Sequence, residues 1–377
     1  MISCGEPSGD LYAGALAREI LRMQPAASIT GFGSDRLREA GATLVGDFSG
    51  LSVTGILEVA RVLPRTYATY RRLIAHAAAT RPDVFVAVDF PDFNFRLARA
   101  IGALGVPIVY YISPQLWAWR PGRMKTMRRI ADRVLVIFPF EEALYQNAGV
   151  PVEWVGHPML DVARQPEPRA DFLSRTGLDP ARPVVALLPG SRPNELREIL
   201  PGLVAAAHQI RTRLPEAQFL LARAPHLRDG LFDSLTSPES SVLNVRIVDG
   251  AADDVLAAAD VALVASGTIT VQGALHECPM VVVYRLSPIT YRLGRPFVHV
   301  GTFAMANLVA GRRVVPELIQ DDFTPDAVAR EALALLLDPA AARAMRADLR
   351  TVREKLGGPG ASRRAAQAVM DLACRRQ

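Results

Sequence analysis

Residues 184–196, Val184-Val185-Ala186-Leu187-Leu188-Pro189-Gly190-Ser191-Arg192-Pro193-Asn194-Glu195-Leu196, change character within a few positions and restrict the fold more than any other stretch. An apolar run of strand length with a β-branched start is broken by Pro189-Gly190. From Glu195 onward Leu196, Ile199, Leu200, Leu203 and Val204 recur at helical spacing. The pattern predicts strand, tight turn, helix. Ser191 falls near the helix N-terminus, where unpaired backbone N–H groups and the positive end of the dipole suit an anion such as a diphosphate; Arg192 adds a bidentate donor. The same residues also suit an ordinary βα turn in which Ser191 caps and Arg192 is solvated.

A second stretch, residues 260–275, repeats the pattern: a buried strand runs into Ser266-Gly267-Thr268 and then a helix. Two such turns at neighbouring strand ends of one open parallel sheet converge on the crevice where α/β proteins bind ligands. The expected ligand carries phosphates.

With 377 residues, 50% of them hydrophobic, the chain is long enough for two domains, each with its own core. The net charge of +5 favours anionic partners: nucleic acid, sugar nucleotides or an anionic membrane surface. Nucleic acid is set aside, because the sequence carries no ribonucleoprotein motif, zinc-finger spacing or low-complexity basic arm. Cys4, Cys278 and Cys374 are too scattered for a disulfide framework or a metal site, which fits a reducing compartment. There is no Asp-x-Asp pair and no grouping of the six histidines, so no metal or other cofactor is implied. No signal peptide is evident, and the longest apolar stretch, 255–271, is interrupted by Asp260 and the glycine turn; a soluble or peripheral protein is expected.

Taken in order, the chain opens on a short strand, Met1-Ile2-Ser3-Cys4, then Gly5-Glu6-Pro7-Ser8-Gly9-Asp10 and a helix over 11–23. Glu6, Ser8 and Asp10 place polar groups at the carboxyl end of a sheet, although Ser8 or Asp10 would also serve as a helix cap. Further strands are expected at 30–33, 83–88, 107–112, 134–138 and 152–155. The apolar segment 50–63 reads either as a core helix or as a surface that meets acyl chains. Asp89 sits just past a strand's carboxyl end, where catalytic groups collect, and is assigned as a base, with Asp92 as the cap of the following helix. A buried structural carboxylate is the other reading of Asp89. Trp117, Trp119 and Arg120 compose a membrane-interface or sugar-stacking loop, though buried packing of a ring is also open. Gly156-His157-Pro158 forms a hinge, and the second domain has strands at 184–188, 218–222, 245–249, 261–265 and 280–284. Helices follow at 327–337, 340–356 and 360–375.

Gly5-Glu6-Pro7-Ser8-Gly9-Asp10, Asp89-Phe90-Pro91-Asp92-Phe93-Asn94, Ser113-Pro114-Gln115-Leu116-Trp117-Ala118-Trp119-Arg120, Gly156-His157-Pro158, Leu188-Pro189-Gly190-Ser191-Arg192, Ala265-Ser266-Gly267-Thr268, Cys278-Pro279-Met280-Val281-Val282 and Asn307-Leu308-Val309-Ala310-Gly311-Arg312 occur together and in order. In this combination the chain resembles the lipid-A-disaccharide synthase family, over almost its whole length. The resemblance implies an α/β protein of the GT-B fold, two Rossmann-like doubly wound parallel-sheet domains facing a cleft. Boundaries are expected at 1–163 for the acceptor-side domain and 164–340 for the nucleotide-sugar domain, with helices from about 341 to 377 packing back on the first.

The implied reaction is inverting transfer of 2,3-diacylglucosamine from UDP to 2,3-diacylglucosamine 1-phosphate, giving a β-1,6 disaccharide 1-phosphate and UDP at the cytoplasmic face of the inner membrane. UDP-diacylglucosamine is a substrate rather than a cofactor, the membrane contact is peripheral, and a homodimer is left open. The resemblance gives Asp89 as base with Glu6 and Ser8 orienting substrate. It gives Gly190, Ser191, Arg192, Glu195, Ser266, Gly267, Thr268, Gln272 and Asn307 to the nucleotide. Gln272 stands where the family usually has a glutamate for the ribose hydroxyls, so Gln272→Glu is expected to raise donor affinity; Ala306 replaces a usual proline. A UDP-N-acetylglucosamine 2-epimerase-like isomerase and a UDP-sugar or lipid-binding relative without turnover are the alternatives.

Overall fold

The computed structural model describes residues 1–48, 56–114, 116, 121–225, 227–235, 243–286 and 302–374. Two compact units emerge, Met1–Val162 with Leu356–Gln377, and Ala163–Lys355. Each is built on one open sheet in which every strand pair is parallel.

The first unit contains β1 (Ile2–Ser3), β2 (Thr30–Gly33), β3 (Thr43–Asp47), β4 (Phe85–Val88), β5 (Ile108–Tyr111), β6 (Arg133–Val136) and β7 (Val152–Trp154) in the order β3-β2-β1-β4-β5-β6-β7. The second contains β8 (Val184–Leu188), β9 (Gln218–Arg223), β10 (Arg246–Asp249), β11 (Val261–Ala265), β12 (Met280–Tyr284) and β13 (Glu317–Ile319) in the order β10-β9-β8-β11-β12-β13. In both sheets the winding reverses beside the first strand, between β1 and β4 and between β8 and β11. These are the switch points at which doubly wound sheets bind ligands.

The central strands read as continuous apolar runs because helices cover both faces. Every residue of β4, β5, β8 and β11 is buried. β3 and β13 escape the sequence reading. Both are edge strands with only partial burial, so neither carries a sustained apolar signal.

The C-terminal boundary differs from the expectation. Helix Pro339–Lys355 belongs to the second unit, and only Leu356–Gln377 joins the first. Its apolar face of Ala342, Met345, Leu349 and Val352 is buried, and Arg350 pairs with Glu277 at 2.7 Å. Helix Ala361–Cys374 instead packs on helix Pro7–Met23. The returning chain is pinned by Asp161, whose carboxylate accepts from the Gly360 and Ser362 N–H groups at 2.5 and 2.6 Å. Arg364 adds a bond to the Val155 carbonyl at 2.8 Å.

Two glycines separate packing from propensity. A Cβ on Gly31 in β2 would overlap the carbonyl oxygen of Ile2, a backbone atom that cannot move without breaking the sheet. A Cβ on Gly102, at the end of helix Pro91–Gly102, would meet nothing nearer than the Ile108 side chain at 3.5 Å. Gly31→Ala is therefore expected to cost at least ~2 kcal/mol or prevent folding, whereas Gly102→Ala is neutral or stabilising by up to about 1 kcal/mol. Thermal melts of the two variants check this.

Candidate active site

At the first unit's switch point two sequence-predicted turns meet. Ile2 pairs with Val86 and Ser3 with Ala87, so the register brings the turn after β1 alongside Asp89-Phe90 at the end of β4. Asp89 and Phe90 both adopt left-handed backbone, with φ of 44° and 50°. For residues with a Cβ this costs on the order of 1–3 kcal/mol each unless the surroundings enforce it.

Asn94, fully buried on helix Pro91–Gly102, supplies the enforcement. Its Nδ2 donates to the carbonyls of Asp89 at 2.9 Å and of Val88 and Ser3 at 3.2 Å, while its Oδ1 accepts from the Ser3 hydroxyl at 2.7 Å. The Tyr110 hydroxyl donates to the same Asp89 carbonyl at 2.9 Å, and the Asp89 N–H donates to the Tyr111 carbonyl at 3.1 Å. A Cβ at position 5 would fall within the ring of Phe90, so only glycine lets that ring close over the β1 turn. The Asp89 residue is left half-exposed on a backbone held by three hydrogen bonds.

The other acids divide differently from the sequence expectation. Glu6 takes the N-cap position of helix Pro7–Met23 with extended backbone and no side-chain cap bond; Ser8 follows it, half-buried in the first turn. Asp10 is buried and accepts from the N–H groups of Ser34 at 2.7 Å, Arg36 at 2.9 Å and Leu37 at 3.4 Å. It caps a neighbouring helix, Asp35–Glu39, rather than its own. Asp92 is not the cap expected of it, because the N-cap position is occupied by Phe90 and no side-chain cap bond forms. Asp92 sits in the first turn, paired with Arg123 at 2.6 Å.

Behind β1 and β4 lies Tyr12, whose buried hydroxyl has no hydrogen-bond partner among the described residues. Burial, reinforced by the Asp89 charge, pushes this phenol well above its usual range. Its ring meets His157 edge-on at 6.0 Å. The His157 Nδ1 accepts from the Met159 N–H at 3.1 Å, so the neutral ring carries its proton on Nε2, and burial lowers the imidazole to about 3.

In the second unit Val264 lies opposite Leu188, so both predicted turns emerge side by side at the switch point. They differ in occupancy. The Glu195 carboxylate folds back over the first, accepting from the Ser191 N–H at 3.1 Å, the Arg192 N–H at 3.3 Å and the Arg192 guanidinium at 3.0 Å. Gly190, at φ 116°, has no room for a Cβ, which would stand 2.5 Å from Glu195 Oε2. Backbone donors expected to face a phosphate are thus already engaged by a carboxylate, itself the kind of anion a helix N-terminus attracts. Among the described residues the second turn has no such plug. Gly267, at φ 152°, is the N-cap of helix Thr268–Leu275, makes no side-chain cap bond, and has open space where a Cβ would be. Ser266 is half-buried beside it, its hydroxyl donating to the Phe303 carbonyl at 3.2 Å. Tyr284, at the end of β12, was missed from sequence; burial and the Glu195 charge raise its phenol.

Two expected nucleotide residues are drawn into networks. Asn307 is buried and uses all of its side-chain capacity. Its Nδ2 donates to the Val315 carbonyl at 2.9 Å and to Glu317 at 2.6 Å, and its Oδ1 accepts from the N–H groups of Val314 at 2.7 Å and Val315 at 2.9 Å. Asn307, expected to contact the nucleotide, holds the loop from Val314 to Glu317. Gln272 is half-buried, and its Nε2 donates to the buried Asp253 at 2.7 Å; His276 Nε2 meets the same oxygen at 2.8 Å, and the Arg164 N–H reaches the other at 3.0 Å. Burial alone would raise the Asp253 carboxyl, but these bonds outweigh it and hold it below the usual range.

Trp117, Trp119 and Arg120, and positions 50–55 of the apolar segment, lie outside the described residues. From Ile56 the chain is helical, as part of Ile56–Thr80. Among the described residues no helix is long and apolar enough to cross a membrane.

Two Rossmann-like domains with polar residues gathered at their switch points place the chain in the GT-B class of glycosyltransferases and their fold relatives. A kitacinnamycin glycosyltransferase structure superposes with TM-score 0.63 at 20% identity, covering 99% of this chain and 98% of that one. The UDP-GlcNAc 2-epimerase of Neisseria meningitidis, bound to UDP-GlcNAc, gives 0.67 at 13% identity, covering 98% of each chain. Fold alone therefore does not separate transferase from isomerase. Sequence does. The family model for lipid-A-disaccharide synthetase matches residues 1–372, and a lipid-A-disaccharide synthase of Geobacter sulfurreducens is 44% identical over 375 residues, 99% of this chain and 96% of that protein. The chain belongs to the lipid-A-disaccharide synthase family of glycosyltransferases.

His157 supplies a test of the packing behind Asp89. An unfolded histidine titrates near 6.5, the folded one near 3. Between these values the unfolded chain binds a proton that the native protein does not. Stability is therefore lost as pH falls from about 6.5, on the order of 1 kcal/mol per pH unit. Urea midpoints between pH 4 and 7 should show this slope, and His157→Gln should flatten it by one proton.

Proposed function

We propose that the protein transfers 2,3-diacylglucosamine from UDP to 2,3-diacylglucosamine 1-phosphate, with inversion, giving the β-1,6 disaccharide 1-phosphate and UDP. Asp89 takes the proton of the acceptor hydroxyl as that oxygen bonds to the anomeric carbon. The bond from the anomeric carbon to the diphosphate breaks, and its electron pair leaves with UDP. Membership of the family supports the reaction class. The observation that carries the assignment of the base is the Asp89 backbone, held left-handed at a switch point by Asn94, Tyr110 and the Phe90 ring, an expense that an ordinary strand end does not need.

The departing diphosphate is charge-matched by Arg192 and by the uncapped N-terminus at Ser266-Gly267-Thr268, with no metal written into the step. For Arg192 to engage a phosphate, the Glu195 carboxylate must yield its place, one anion replacing another on the same donors. Glu6 and Ser8 orient the acceptor, and Gln272 takes the ribose diol.

Both substrates carry acyl chains, so we place the protein peripherally on the cytoplasmic face of the inner membrane. Leu63 and Tyr67, 59% and 60% exposed on helix Ile56–Thr80, support a surface that meets lipid. The net charge of +5 favours an anionic one.

Purified protein given the donor alone should release little UDP, and adding the 1-phosphate acceptor should switch release on, with the disaccharide detected by mass spectrometry. Release at equal rates without acceptor would point instead to hydrolysis or to epimerase-type chemistry. Asp89→Asn should lower kcat by roughly 10²–10⁴-fold with donor affinity within a few-fold; unchanged turnover would move the base elsewhere. Leu63→Ser with Tyr67→Ser should reduce co-sedimentation with anionic phospholipid vesicles several-fold without changing the thermal melt.

A further inference from the structure

The cluster of Asp253, Gln272, His276 and the Arg164 N–H joins three separate segments around one carboxylate that is 8% exposed. Gln272 and His276 stand four residues apart, on one side of helix Thr268–Leu275 and its C-cap, and both reach Asp253 Oδ1, from helix Ala252–Ala258. The same helix starts at the uncapped turn of the second unit's switch point, so Gln272 lies about one helical turn from that turn.

An amide is not symmetric. Only its N–H side can donate to a carboxylate, so the bond to Asp253 decides which way the Gln272 amide faces and turns Oε1, an acceptor, away from Asp253. The carboxylate also polarises the amide it holds, strengthening that oxygen as an acceptor. A cis-diol, which offers two hydroxyl donors, is the chemistry such an oriented acceptor recognises. We propose that Asp253 is a positioning residue for donor binding, clamping Gln272 so that its carbonyl oxygen meets the ribose hydroxyls of a uridine nucleotide, with His276 sharing the same Asp253 oxygen and the Arg164 N–H holding the other. The proposal rests on the ribose role of Gln272 and explains how an amide serves there.

The clamp also changes what Gln272→Glu should do. Glutamate at 272 would set a second carboxylate against Asp253 at hydrogen-bond distance, and two like charges so placed cannot both stay ionised and paired. The single replacement, expected from sequence alone to improve donor affinity, should weaken it. The pair needs one carboxylate and one amide, and exchanging them should restore the fit: Asp253→Asn with Gln272→Glu recreates the bond with donor and acceptor reversed.

The experiment measures binding of UDP and of 2′,3′-dideoxy-UDP to the full chain by calorimetry, with melting temperatures recorded for every variant. Gln272→Ala, Asp253→Asn and Gln272→Glu should each weaken UDP about tenfold and leave dideoxy-UDP within about twofold of the parent. The double exchange should recover UDP binding to within about threefold. A folded double variant that binds UDP no better than either single variant overturns the clamp. If Gln272→Ala discriminates between the two nucleotides and folded Asp253→Asn does not, the clamp is likewise wrong while the ribose role stands. If Gln272→Ala does not discriminate, the ribose role itself fails and the clamp falls with it. Should Asp253→Asn not fold, the double exchange, which keeps the carboxylate–amide pair, decides the matter.

Discussion

One buried amide holds the first unit's crevice in shape. Asn94 fastens the ends of β1 and β4 by donating to three main-chain carbonyls and accepting the Ser3 hydroxyl, and this allows two consecutive non-glycine residues to stand in left-handed conformation. Without that amide the carbonyls of Ser3 and Val88 would lose its N–H, at a cost on the order of 1–3 kcal/mol for each left unpaired, and the Asp89 carbonyl would keep the Tyr110 hydroxyl alone. The Asp89 and Phe90 backbone would then relax toward ordinary strand geometry. The Phe90 ring over Gly5 and the half-exposed Asp89 depend on that fastening.

The second unit solves the same problem with charge instead of strain. Glu195 neutralises the turn after β8 from within the chain, and Glu317 does the same for helix Met305–Ala310, accepting from the Phe303 and Ala304 N–H groups at 2.9 and 3.0 Å. Of the two turns at the second unit's switch point, the one at Gly267 has no side-chain plug among the described residues. Helix N-termini are interchangeable in the field they project. What distinguishes a binding turn from a structural one is whether a side chain of the same protein already fills it.

These networks also explain which expectations survive contact with the structure. Asp10, Asp92 and Glu195 stand within two residues of a glycine or proline near a helix start, and Asn307 in the short helix Met305–Ala310, polar positions that read as a site. Asp10 and Asn307 are internal caps and pins, Glu195 is a cap over a neighbouring turn, and Asp92 is a surface ion-pair partner. Their partners lie at sequence distances of 24 residues for Asp10–Ser34, 7 for Asn307–Val314 and 31 for Asp92–Arg123. The long separations are invisible to local pattern, and the shorter ones depend on loop paths that pattern does not specify.

From residue order alone came the buried strands, the strand-turn-helix units and the placing of Asp89 at a strand end, because each rests on local periodicity and turn chemistry that neighbouring residues enforce. The family likeness was legible for the same reason, carried by short contiguous motifs. Tertiary structure alone decided the edge strands, the side on which helix Pro339–Lys355 packs, the left-handed geometry at Asp89, and the duty of each polar turn residue. All of these are settled by which buried donors and acceptors find one another across the sheet, a question of satisfaction in three dimensions that no stretch of chain answers by itself.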